Sequence, residues 1–219
     1  GSEKLEVMLG GELATYVDIR QQLARDIWHA EIASFAALSL LLVWVFGSVA
    51  AATLPLIVGV VTIVLSVAIL KTYTLFLDVS VYAANVVSML GLGLAIDYAL
   101  FIVSRFREEL AAGQDVNKSL MTTMCTAGRT VVFSGLTVAS SLFCLHLLPQ
   151  RFFQNMGLAG SISVGAAMLT AVVLLPALLA MLGHNVNRLS LPSLARRAAR
   201  QAEGGHWYRY SYFVMRRAW

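Results

Sequence analysis

Charge is what this sequence is short of. Asp, Glu, Lys and Arg make up only 13% of its 219 residues, while 58% are hydrophobic. A soluble domain has about 25% charged and roughly 45–50% apolar residues, so this balance excludes both a water-soluble fold and a disordered chain. Metal-binding and cross-linking residues are equally sparse. The four histidines, His29, His146, His184 and His206, stand at spacings that make no metal site. The two cysteines, Cys125 and Cys144, lie roughly 28 Å apart if the chain between them is helical, beyond the reach of a disulfide. Also missing are the alternating ten-residue segments of a membrane barrel. The net charge of +4 comes from basic residues that flank apolar runs, where they report membrane orientation and not nucleic-acid binding. With a mean hydropathy of +0.75, the chain reads as a membrane protein.

What is present is a set of long apolar runs. Spanning the hydrocarbon takes about 20 such residues, and five candidate spans appear: Ile32 to Phe46, Val49 to Leu70, about Tyr82 to Val103, about Val131 to Leu148, and about Phe153 to Leu182. Backbone polar groups in lipid must be satisfied within the segment, so continuous apolar runs are helices. The expected fold is an all-α, polytopic five-helix transmembrane bundle over residues 31–183. Only Gly47 and Ser48 separate the first two spans, which predicts a tight helical hairpin. Residues 1–30 read as a separate piece. Lys4 to Leu9 alternate like a strand, Gly10-Gly11 is a turn, and Tyr16, Ile19, Leu23, Ile27 and Ala30 recur at helical spacing. Residues 184–219 read as a basic linker followed by an interfacial helix with Trp207, Tyr210 and Val214 on one face.

Lys and Arg set the orientation. Arg105, Arg107, Lys118 and Arg129 fall on the side that also carries Arg188, Arg196, Arg197, Arg200, Arg209, Arg216 and Arg217; the other side has Lys4, Arg20, Arg25, Lys71 and Arg151. The predicted topology is N-terminus outside, C-terminus cytoplasmic. With five spans and no leader in residues 1–30, that parity predicts a further helix and an external domain upstream of Gly1.

One acidic residue falls inside an apolar run: Asp97. A carboxylate at a helix centre costs about 2.5–3.5 kcal/mol on insertion scales, so its default reading is functional. Gly91, Ala95 and Ala99 form a small-residue ridge on the same helix, and Gly93 precedes Asp97 by one turn. Such a ridge predicts close helix packing, with Asp97 directed into protein and able to exchange protons near neutrality. Tyr98 supplies an adjacent hydroxyl. A structural hydrogen-bonding role for Asp97 is the alternative, and Asn85 and Ser88 read as packing residues. On the fourth span, Thr126, Thr130, Ser134, Thr137, Ser141 and Cys144 follow one helical face, either as interhelical hydrogen bonds or as a polar pathway toward Asp97. On the fifth, Gly157, Ser161 and Gly165 make a second close-packing ridge, and Pro176 predicts a kink.

The stretch from Asn85 through Ile96-Asp97-Tyr98-Ala99 to Arg105-Phe106-Arg107-Glu108-Glu109-Leu110 closely resembles the fourth transmembrane helix of the MmpL family of resistance-nodulation-division (RND) transporters. Shorter matches run along the chain: Ala30-Glu31, Val45-Phe46-Gly47-Ser48, Arg129 to Val138 and Leu174 to Leu179. The resemblance implies a proton-driven exporter of lipids or other hydrophobic molecules, not an enzyme, in the bacterial inner membrane. It needs no cofactor beyond the coupling protons. This chain would then be helices two to six of the first half plus the remnant of an external α/β porter domain. The implied proton relay is Asp97 and Tyr98, supported by Gly91, Gly93 and Ala95. The implied partners are membrane lipids, a hydrophobic substrate and a second half carrying the complementary Asp-Tyr pair, with homo-oligomers left open. A five-helix unit here also resembles sterol-sensing modules, which would make it a lipid-binding regulatory module; a non-functional fragment of a split transporter is the third reading.

Overall fold

A computed structural model describes residues 32–75 and 81–187, with Phe213, Met215 and Arg216 beyond them. Its helices are α1 (Ile32–Phe46), α2 (Val49–Tyr73), α3 (Val81–Ala111), α4 (Val116–His146) and α5 (Arg151–Val186). A π-helical turn interrupts α4 at Met124–Gly128 and another interrupts α5 at Thr170–Leu174, while α5 closes in a 3-10 turn, Gly183–Asn187. The chain divides into two compact units, Gly1–Leu41 and Leu42–Trp219. In the first, the described residues 32–41 are helical. All packing described below belongs to the second.

Two parts of the expected architecture are corrected. Among the described residues four helices, α2 to α5, are long and apolar enough to cross a membrane, not five, and Ile32–Phe46 is a shorter apolar helix. At 1.5 Å per residue that segment rises about 22 Å, short of the roughly 30 Å hydrocarbon core. The second correction concerns the α/β porter remnant: the described residues are helical and form no β-sheet, so the fold is an all-helical membrane bundle. The strand expected at residues 4–9, the lead-in helix after it and most of the 184–219 linker lie outside the described residues.

The breaks fall where chain chemistry puts them. Gly47 adopts φ 60°, a conformation that favours glycine, and Ser48 is extended and caps α2, its Oγ accepting from the Ala51 N–H. After α3, Gly113 turns the chain at φ 81° and Asp115 caps α4 by accepting from the Asn117 N–H. Helices outrun the apolar runs at the loop ends, because amphipathic turns carrying Arg105, Arg107 and Lys118 continue each helix past the hydrocarbon.

Three helices meet along one seam. Val58, Thr62, Ser66 and Leu70 of α2 are buried at four-residue spacing, as are Val87, Gly91, Ala95 and Ala99 of α3 and Ala159, Ser163 and Ala167 of α5. Small side chains and hydroxyls let these helices approach without a hydrophobic force to drive them. A Cβ at Gly91 would stand 3.6 Å from the Ser163 Cβ and 3.8 Å from the Thr62 Cγ2, so the Gly91-Ala95-Ala99 ridge is the junction of α2, α3 and α5. The Ser163 hydroxyl donates across it to the Val87 carbonyl at 3.4 Å. On its other side α5 packs on α4, and the closest approach is at Gly157, where a Cβ would lie 2.6 Å from the Leu142 carbonyl oxygen. The Ser161 Oγ donates to the Ala139 carbonyl at 3.0 Å. Gly157 and Ser161 thus form the expected ridge, whereas a Cβ at Gly165 would meet nothing within 4 Å.

Candidate functional site

Asp97 lies in the middle of α3, and the helix turns it away from the seam. Met89, Gly93, Asp97 and Phe101 follow one another at four-residue spacing, and all four are exposed. A Cβ at Gly93 would meet nothing within 4 Å. The ridge faces the seam, and Gly93 and Asp97 occupy a different, open face of α3. The reason is angular. Gly91 and Ala95 precede Asp97 by six and two residues, offsets that land well around the helix from it. Asp97 has no hydrogen-bond or ion-pair partner among the described residues.

Tyr98, next in sequence, points the other way. It is 8% exposed, and its hydroxyl is buried without a hydrogen-bond partner. Such an orphaned hydroxyl costs roughly 1–3 kcal/mol of desolvation, which a fold does not carry without compensation. Ser66 Oγ is a second buried hydroxyl without a partner, on the seam face of α2. The sequence signal for this line was the four-residue spacing of Val58, Thr62, Ser66 and Leu70, hidden by the uniformly apolar surroundings. Asn85 and Ser88 are half-buried on the same helix as Asp97.

The polar stripe of α4 does not reach Asp97. α5 packs against both helices, and α3 and α4 approach each other mainly at the end where residues 112–115 join them. Thr126, Thr130, Ser134, Thr137, Ser141 and Cys144 are all exposed. The hydroxyls of Thr130, Thr137 and Ser141 bond within α4: Thr130 Oγ1 donates to the Thr126 carbonyl at 3.1 Å, Thr137 to Phe133 at 2.8 Å and Ser141 to Thr137 at 2.9 Å. This replaces the expected interhelical bonds. An open groove of about 560 Å³ runs along the stripe, lined by Arg129, Thr130, Phe133, Ser134, Thr137 and Val138. Arg129 caps one end of it, its guanidinium carbon 5.4 Å from the centre of the Phe133 ring, within cation–π range.

The arginine-bearing end of the bundle is tied together. Arg107 reaches from α3 to donate to the Phe46 carbonyl at 2.8 Å and lies over the Phe46 ring. Arg105 pairs with Glu108 at 3.1 Å and with the buried Glu109, which also accepts from the Gln114 amide at 2.8 Å. Ser48 Oγ donates to the Val186 carbonyl at 3.0 Å, joining the start of α2 to the end of α5. At the other end His146 Nδ1 lies 3.0 Å from the Gln154 carbonyl oxygen across the α4–α5 turn. No group of three or more metal-ligating side chains occurs among the described residues.

Comparison with known proteins gives this arrangement its context. The chain is 37% identical over 216 residues to the mycolic acid-containing lipids exporter MmpL11 of Mycolicibacterium smegmatis, covering 99% of the chain and 23% of that protein. It is 38% identical over 191 residues to the trehalose monomycolate exporter MmpL3 of the same organism, covering 87% of the chain and 19% of that protein. Against the trehalose monomycolate exporter MmpL3 of Mycobacterium tuberculosis it is 40% identical over 174 residues, covering 80% of the chain and 18% of the relative. The chain thus spans less than a quarter of the length of these curated relatives. The sequence profile of the MMPL family matches residues 1–218, and with its apolar helical bundle of membrane-length helices this chain is a multi-pass membrane protein belonging to that family.

Proposed function

We propose that this chain is the membrane part of a proton-motive-force-driven exporter of lipids or other hydrophobic molecules, and that Asp97 carries the coupling proton with Tyr98 beside it. The observation that carries this reading is the pairing of opposites on α3: an unpartnered carboxylate on an open face and, one residue on, a buried hydroxyl that lacks an acceptor. An acid left facing lipid would cost several kcal/mol, and the exposed Met89-Gly93-Asp97-Phe101 face is shaped for close approach because Gly93 offers no side chain. The second transporter half, with its complementary Asp-Tyr pair, is the partner proposed for that face. A proton crossing the membrane releases roughly 2.3 kcal/mol per 100 mV, enough to bias two packings of a bundle.

Around this core stand further proposals. Ser134, Thr137 and Ser141 line a polar pathway, supported by their exposure along the α4 groove and by the satisfaction of the hydroxyls of Thr137 and Ser141 within the helix, which leaves their oxygens free to accept from water. The end bearing Arg105, Arg107, Lys118 and Arg129 faces the cytoplasm, together with the C-terminus. Residues 184–219 form a cytoplasmic linker after the membrane helices. Lipid cargo is supported by the names of the relatives, which export mycolic acid-containing lipids and trehalose monomycolate.

The test is Asp97→Asn in the intact transporter, which keeps shape and hydrogen bonding but cannot ionise. Export should fall to background while membrane insertion and abundance stay at wild-type levels. Wild-type export from Asp97→Asn would refute the relay.

A further inference from the structure

The two π-helical turns occupy matching places on neighbouring helices. In α4 the Arg129 N–H reaches five residues back to the Met124 carbonyl, and in α5 the Leu175 N–H reaches five back to Thr170. Each such turn holds one residue more than an α-turn, widens the helix and weakens its ladder. The two turns touch each other, and both touch α3. Their buried residues are small: Ala127 and Gly128 in α4, Thr170 and Ala171 in α5. At Gly128 the flexible Met124 side chain occupies the space beside the missing Cβ. Pro176 follows the second turn and withdraws the next backbone donor.

On either side of this level the helices pair separately. Val116–Thr123 of α4 packs on Leu175–Leu182 of α5, whereas Arg129–His146 packs on Arg151–Leu169, where Gly157 and Ser161 lock the two backbones together. We infer that the paired π-turns are a hinge, at which Val116–Thr123 and Leu175–Leu182 move as one unit against α3 while the remainder of α4 and α5 stays fixed. Helix breaks at membrane depth are tolerated where protein covers them, and both of these face neighbouring helices. Bistable packing of this kind is the element a coupling ion must bias. The hinge stands whether or not Asp97 carries the proton.

The experiment uses the intact transporter in lipid nanodiscs. Amide hydrogen exchange should be at least about tenfold faster at residues 124–129 and 170–175 than in the helical turns on either side, since locally weakened ladders open first. Deleting Thr126 or Val173, both exposed, removes the extra residue, restores α-helical bonding and keeps the register of both flanks. Each deletion should slow exchange at its own turn to the flanking rate and reduce export at least about tenfold, with abundance retained. Uniform exchange along both helices overturns the hinge, and so does wild-type export from the double deletion. The exchange measurement on the wild-type protein decides the matter even if a deletion fails to fold. An inactive Asp97→Asn with normal fast exchange separates the two hypotheses.

Discussion

At the scale of single residues, α3 shows how neighbours in sequence divide labour. Gly91 and Gly93 look alike in a string of Gly and Leu, yet a Cβ at the first would stand 3.6 Å from the Ser163 Cβ and one at the second would meet nothing within 4 Å. Gly91→Leu should therefore wreck the α2–α3–α5 junction, costing about 1–3 kcal/mol or more by overpacking. Gly93→Leu should leave this bundle within about 0.5 kcal/mol of wild type, as a substitution into open space does. In the intact transporter it should nonetheless block export, because it fills the face proposed for the second half. Detergent melting curves and export assays on the two variants check this; full export from Gly93→Leu would remove the partner from that face. Tyr98→Phe removes one buried hydroxyl that has no partner among the described residues, and export should fall partially, less than with Asp97→Asn. No loss at all would leave that hydroxyl without a role.

Helices were legible in the sequence where composition decides them, and less so where angle does. The runs from Val49, Tyr82, Val131 and Phe153 all became helices, and the Gly47-Ser48 break is where the residues put it, because a glycine at positive φ and a serine cap leave little choice. Which face of each helix is covered was harder to read. The ridge rule found Gly91, Ala95 and Ala99 correctly, but it assigned Asp97 to the same packed environment, since proximity in sequence says little about direction at 100° per residue. Likewise the α4 hydroxyls looked like interhelical glue, though in a helix the nearest acceptor is the carbonyl four residues back. Pro176 gave a hint of irregularity in α5, which takes the form of a π-turn; nothing comparable announced the turn before Gly128. Replacing Thr137 and Ser141 by Val and Ala should shift bundle stability by less than about 0.5 kcal/mol, below the roughly 0.6 kcal/mol average of an interhelical hydrogen bond in a membrane protein. Thermal melts of the double variant check it, and a loss of several kcal/mol would restore the interhelical reading.

For the whole molecule, charge and connectivity agree. The Arg107 to Phe46 and Ser48 to Val186 bonds gather the α1–α2 turn, the base of α3 and the end of α5 at one end, which is also the end rich in arginine. A cysteine at Gly113, in that end's turn, should resist a membrane-impermeant thiol reagent in intact cells, while one at Gln150, in the α4–α5 turn, should react. Reversed labelling would invert the proposed topology. Cys125 and Cys144 are exposed on the chain, so both are first replaced by serine.

The bond from Ser48 to Val186 joins residues 138 apart in sequence, nearly the full length of the membrane bundle. A ribosome releases the start of α2 long before it has made its partner. Throughout that interval the Ser48 hydroxyl keeps its local cap on α2 but lacks the bond that ties it to the end of α5. Closure of this end therefore follows the formation of α2, α3 and α4. A nascent chain arrested just short of Val186 would present a bundle complete in its spans and still open at its base.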